Sequence, residues 1–186
     1  MAADATSRGF TLIELMIALA IGSLLVMLGL PSFNEFLRNS EIRSTTESVV
    51  NGLRLARTEA VRRNQLVTFT LVSGGPGWTL DQVNACPATN IQTYSKSEGG
   101  TNTAAAITPA AAVSVTFNGM GRITPTATTA SCVAATTPNL QRLDISSTLA
   151  LGSRSLRIVL PVDGGTQGIR ACDPTPTLAS TDPRAC

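Results

Sequence analysis

An apolar run carrying one misplaced carboxylate dominates the start of this chain. Residues 10–30 make a stretch of 21 residues whose single charge is Glu14, and no charged side chain lies between Glu14 and Glu35. As a helix rising about 1.5 Å per residue, the run measures about 31 Å. That matches the roughly 30 Å hydrocarbon core of a bilayer. It is too long for a typical signal-peptide core, and Leu30-Pro31-Ser32 is a poor cleavage site for signal peptidase. The run therefore reads as a membrane-spanning helix. Arg8 precedes it, so the N-terminus is expected to stay in the cytoplasm while the remainder is exported. Glu14 does not suit such a helix. An acid at its centre costs roughly 2.5–3.5 kcal/mol; nearer the end the cost is smaller, and a cationic partner is still expected.

Composition removes most catalytic readings. The chain has 186 residues, with 14 basic and 12 acidic side chains and a formal charge of +2. That balance does not mark a nucleic-acid binder. Lys96 is the sole lysine, and charged residues make up 14% against roughly 25% in an average globular protein. There is no histidine. Ser-His and Cys-His nucleophile pairs, His-ligated zinc and the usual neutral-pH base are excluded together. The carboxylates are scattered. The chain is not expected to be an enzyme, and no catalytic residue, cofactor or metal is assigned.

The segment Arg8-Gly9-Phe10-Thr11-Leu12-Ile13-Glu14 resembles the prepilin signal of type IV pilins and type II secretion pseudopilins. The resemblance implies cleavage between Gly9 and Phe10 by prepilin peptidase, followed by N-methylation of Phe10. It also implies that Glu14 pairs with the N-terminal amine of a neighbouring subunit. Pro31 falls where such proteins often carry a helix-kinking proline. The leader departs from the pattern in having Asp4, and Arg8 is its only basic side chain. Electrostatics agrees with the resemblance. A cut before Phe10 leaves an ammonium at a helix N-terminus, where the dipole disfavours positive charge. Glu14 lies one turn on, on the same face. It neutralises either its own terminus or that of another chain, and in a staggered bundle the second choice sets register. The bland alternative is a plain signal anchor.

The helical pattern continues past the apolar run. Phe33, Phe36 and Leu37 extend the apolar face, then Ile42, Val49, Leu53, Ala56 and Ala60 recur at helical spacing. Arg38, Glu41, Arg43, Glu47, Arg54, Arg57, Glu59, Arg62 and Arg63 occupy the other faces. One helix is predicted over about residues 10–64, with Gly22, Gly29, Pro31 and Gly52 as weak points, each costing on the order of 1–3 kcal/mol in a helix interior. Arg62 and Arg63 suit the last turn, and Asn64 can cap it. Ala56-Arg57-Thr58-Glu59-Ala60-Val61-Arg62-Arg63-Asn64 resembles the helix end of the GspH/FimT branch of the pilin-like superfamily.

Beyond Gln65 the sequence turns β-like. Strands are predicted at residues 66–72, 78–83, 113–117, 140–145 and 156–162, with pairing resumed at Gly121-Arg122-Ile123. Residues 99–112 and 124–138 read as Thr/Ala-rich loops. Thr116-Phe117-Asn118-Gly119-Met120-Gly121-Arg122 again resembles GspH/FimT members. The expected fold is α+β, the type IV pilin fold, with an antiparallel meander packing one face on helix residues 43–63. Its parts are a leader at 1–9, a transmembrane and polymerisation helix at 10–37, an amphipathic half at 38–64, a β-rich domain at 65–171 and a C-terminal tail at 172–186.

Cys86, Cys132, Cys172 and Cys186 all follow the membrane segment and form no C-x-x-C pair. In an exported domain they read as disulfides. Four cysteines allow three pairings; Cys172–Cys186 and Cys86–Cys132 are the pairs expected here. The resulting reading is a minor pilin that primes or decorates a type IV pilus. It is held in the inner membrane with a periplasmic domain until it enters the fibre at the cell surface. Its partners would be other pilin subunits, prepilin peptidase and the membrane. A GspH-type pseudopilin of a type II secretion system is the alternative. A further alternative is DNA capture. FimT-like minor pilins bind DNA through a C-terminal Gly-Arg-x-Arg motif. In the matching stretch here only Arg170 fits, and Gly168 replaces the first arginine. Arg154, Arg157, Arg170 and Arg184 are the candidate DNA contacts, opposed by Asp163, Asp173 and Asp182.

Overall fold

The computed structural model describes residues 9–72, 75–83, 87–98, 100–125, 138–149, 154–161, 168–176, 178–179 and 181–186. Its first element is the 52-residue helix α1, Leu12–Arg63. Thr11 starts it. The Thr11 hydroxyl accepts the Glu14 backbone N–H at 3.3 Å, and the Thr11 carbonyl accepts the Leu15 N–H at 3.1 Å. This places Thr11 at the N-cap and Glu14 at the third helical position. At the other end Asn64 takes a left-handed φ of 50°. Its N–H donates to the Val61 carbonyl, and the Gln65 N–H donates to the Ala60 carbonyl. These are the two bonds of a Schellman motif, with asparagine where glycine is usual. The helix is unbroken at Gly29 and Pro31.

The chain divides into two compact units, Met1–Leu37 and Arg38–Cys186. In the second unit eight strands among the described residues form two antiparallel sheets. The first has the order β3-β2-β1-β5, with β1 at Val67–Leu71, β2 at Trp78–Gln82, β3 at Thr89–Tyr94 and β5 at Ser114–Phe117. The second has the order β4-β6-β7-β8, with β4 at Thr103–Thr108, β6 at Arg142–Ser147, β7 at Leu156–Val159 and β8 at Arg170–Cys172. The predicted single meander is therefore corrected to two sheets. The chain leaves the first sheet after β3, lays β4 in the second, and returns to place β5 against β1.

Three strands, β3, β4 and β8, escaped the sequence reading, and β8 is only three residues long. β4 lies in the stretch read as a loop over 99–112. Alanine is a poor strand former, and Ala104-Ala105-Ala106 is extended here by pairing with residues 144–146 of β6. β3 is a half-exposed polar edge without an apolar alternation. Most of the predicted loop at 124–138 lies outside the described residues.

The core of this unit is one apolar stripe of α1 covered from both sheets. Ile42, Val49, Leu53, Ala56 and Ala60 are buried at the spacing the sequence set out. They join Val67, Phe69, Leu80, Val115 and Phe117 of the first sheet and Leu143, Ile145 and Ile158 of the second. Trp78 closes one side. Its ring stacks on Tyr94 at 5.6 Å and lies tilted against Phe69 at 5.7 Å. Its Nε1 donates to the Ser48 hydroxyl at 3.3 Å. Gly52 makes room for that ring: a Cβ there would stand 2.7 Å from Trp78 Cε2.

Two effects oppose each other at Gly52. Alanine improves helix propensity by about 1 kcal/mol, while overpacking a closed core costs about 1–3 kcal/mol. Trp78 is only 3% exposed and cannot swing away, so the steric cost prevails. Gly52→Ala is predicted to lower the melting temperature by about 2–6 °C; thermal unfolding followed by circular dichroism checks it, and a rise would refute it.

Candidate functional site

Large apolar side chains of the first unit stand open along the helix, from Phe10 at 86% exposed through Met27 at 75% to Phe36 at 67%. Exposure on this scale marks an interaction surface, and the helix is long and apolar enough to cross a membrane. Gly9 and Phe10 precede the first turn, are exposed and have no regular structure. Glu14 sits in the first turn, where the dipole favours a carboxylate. The sequence analysis missed the role of Thr11, although Thr-x-x-Glu before an apolar run is a capping-box signature that would have supplied it.

The far end of α1 is a second constructed region. Glu59 receives Arg62 Nη2 at 2.6 Å and Arg63 Nε at 2.7 Å. Arg63 Nη1 also donates to Gln82 Oε1 at 2.8 Å, tying the helix end to β2. The Arg62 hydrogen bond, then that of Arg63, pulls the Glu59 carboxyl down from 4.5 to about 2. The turn at residues 118–122 packs against this end. Asn118 Oδ1 accepts the N–H groups of Met120 and Arg122, both at 3.0 Å. Gly119 lies directly on Asn64. Gly121 has φ 71°, and a Cβ there would meet Val61 and Arg57 at 3.0 and 3.1 Å. Two motif segments far apart in sequence thus meet in space, and their glycines answer to packing.

Both segments fall inside residues 45–164, which match the family described as Type II transport protein GspH. The chain belongs to the GspH family. Residues 5–30 also match the prokaryotic N-terminal methylation motif. No curated protein and no solved structure matches the chain. The family membership and the motif make it a pilin or pseudopilin subunit of type II or type IV machinery, anchored by its N-terminal helix.

The tail of this GspH-family chain is stapled by Cys172–Cys186, with Cα atoms 5.2 Å apart. A parallel bridge joins Asp173 to Ala185. Cys86 and Cys132 lie outside the described residues. The four candidate arginines are not equivalent. Arg157 grips Asp144 with two hydrogen bonds, at 2.6 and 3.1 Å. Arg184 grips Asp182, holding that carboxyl at about 2. Arg154 and Arg170 are exposed and make no ion pair within 4 Å among the described residues. Asp163 is outside the described residues. No cluster suited to a metal occurs among the described residues.

Two outcomes follow. The folded value for Glu59 lies below its ordinary one, so its contribution to stability is complete above about pH 4.5 and is lost as pH falls towards about 2. Glu59→Gln is predicted to flatten that acid limb in urea titrations run across the same window. Replacing Cys172 and Cys186 with serine opens a loop with a separation of 14 residues. Closing such a loop is worth about 3 kcal/mol on the chain-entropy estimate, so a fall of about 6–12 °C in melting temperature is expected by calorimetry.

Proposed function

We propose that this chain is a minor pilin of a type IV pilus, which primes or decorates the fibre after prepilin peptidase cuts between Gly9 and Phe10. The observation that carries the reading is Glu14, a first-turn carboxylate at the start of an otherwise apolar, exposed run of helix to Leu30. A single Glu14 beside the N-terminal amine freed at Phe10 is poorly solvated in hydrocarbon, and pairing across two chains neutralises both charges. The stack is then driven by the apolar side chains of residues 10–37, a stretch of sequence that includes Pro31. The stapled tail is available to face outward on the fibre. The inner membrane holds the subunit before assembly, with residues 38–186 on the periplasmic side.

The family description favours a second reading, a minor pseudopilin of a type II secretion system. DNA capture is supported less well, because Arg157 and Arg184 already hold carboxylates. Glu14→Ala is predicted to reduce incorporation into sheared surface fibres by at least about tenfold, a loss equivalent to about 1.4 kcal/mol, with normal levels of the chain in the membrane. Quantitative immunoblotting of the two fractions reads this. Unchanged incorporation would contradict the pilin reading. Wild-type chain missing from the fibres, together with lost protein secretion on deletion, would select the pseudopilin.

A further inference from the structure

The second sheet has two edge strands, β4 and β8, and among the described residues the outer side of β8 has no strand partner. Arg170 and Ala171 are both exposed, whereas Cys172 is buried. Protein edges are normally blunted or covered. Among the described residues the tail pairs with this edge at its end, through the bridge at Asp173. Beside the uncovered part runs a groove of about 540 Å³, with Ile169, Arg170 and Ala171 on one wall. The other wall is α1, at Thr46, Glu47, Val50, Asn51 and Arg54. That volume is in the range of pockets that enclose a small ligand, roughly 300–1,000 Å³.

The groove is unbalanced in charge. Arg54 and Arg170 both border it, and neither side chain has a hydrogen bond or ion pair among the described residues. Its one carboxylate, Glu47, already faces Arg43 at 3.4 Å. Val50 and Ile169 are buried and supply an apolar floor. An open strand edge, an apolar floor and two free guanidinium groups together suit one kind of occupant. We infer that the groove takes an extended acidic segment of another protein subunit, added beside β8 with its carboxylates on Arg54 and Arg170. Main-chain bonds to an edge supply affinity in this mode, and side-chain contacts supply selection.

A nucleic acid fits these observations less well. Binding to a duplex rests on many phosphate contacts along a broad basic face. Here the basic groups number two, and Glu47 shares the lining with them. The inference rests on the reading of the chain as an assembly subunit and names a lateral partner for it. It can fail while that reading survives, because its test needs no fibre.

The test uses the full chain in detergent micelles and fluorescence anisotropy. The probe is a fluorescein-labelled hexapeptide of alternating glutamate and valine. Comparison probes are the lysine/valine hexapeptide and short single-stranded and duplex oligonucleotides. Saturable binding of the acidic peptide is expected, with none of the lysine peptide. Arg54→Glu with Arg170→Glu should weaken it by about tenfold or more. Asn51→Trp, which fills the groove from an exposed position, should weaken it without reversing charge. Unfolding curves matching the wild type confirm that these surface variants fold. Absent peptide binding, binding indifferent to all of these variants, or oligonucleotide binding lost with Arg54 and Arg170 in place of peptide binding would each overturn the inference.

Discussion

Helix α1 meets two solvents along its length, and its residue pattern changes where the solvent changes. Over residues 15–30 it carries no charge and is apolar on every face, as a helix surrounded by hydrocarbon would be. From Ile42 onward only one stripe is apolar, and that stripe is fully buried at Val49, Leu53, Ala56 and Ala60. An exposed amphipathic helix cannot hold a unique place without something covering its stripe. The two sheets supply that cover, each contributing its own alternate residues to a single cluster. Without the stripe the sheets would have no common surface to close on.

Smaller contacts fix where the sheets sit on that stripe. Glu41 accepts the Asn102 N–H at 2.9 Å, and Asn39 accepts the Arg154 N–H at 3.3 Å. Both bind loops to the helix near the start of the globular unit. At the other end Glu59, Arg63 and Gln82 bind the helix to β2, and the turn at 118–122 rests on Asn64. Such pairs are individually weak when exposed. Their effect is positional, since each joins segments that the apolar cluster alone would let slide. The Cys172–Cys186 staple does the same for β8 and the tail.

The helix and its buried stripe were legible in the sequence because periodicity in a long amphipathic segment is a strong and redundant signal. Asn64 was legible as a cap for the same local reason. The Cys172–Cys186 pair was expected from compartment and proximity, and the structure contains it. The sheet arrangement was not legible. Strand order is set by pairing between distant segments, and nothing local in Ala104-Ala105-Ala106 announces a partner in β6. The significance of Gly52 was also hidden: it reads as a weak point of the helix until Trp78, 26 positions away, is seen against it. Arg154, Arg157, Arg170 and Arg184 show the same limit. Composition groups them, while Asp144 and Asp182 hold Arg157 and Arg184 in ion pairs that Arg154 and Arg170 do not make among the described residues.

The account depends most on what the mature chain begins with. Intact-mass and N-terminal fragment analysis of the protein purified from its own membranes reads this directly. The account predicts a chain that starts at N-methylated Phe10, lacking the first nine residues and retaining the whole apolar run. A chain beginning at Met1, or one cut beyond Leu30, would contradict it.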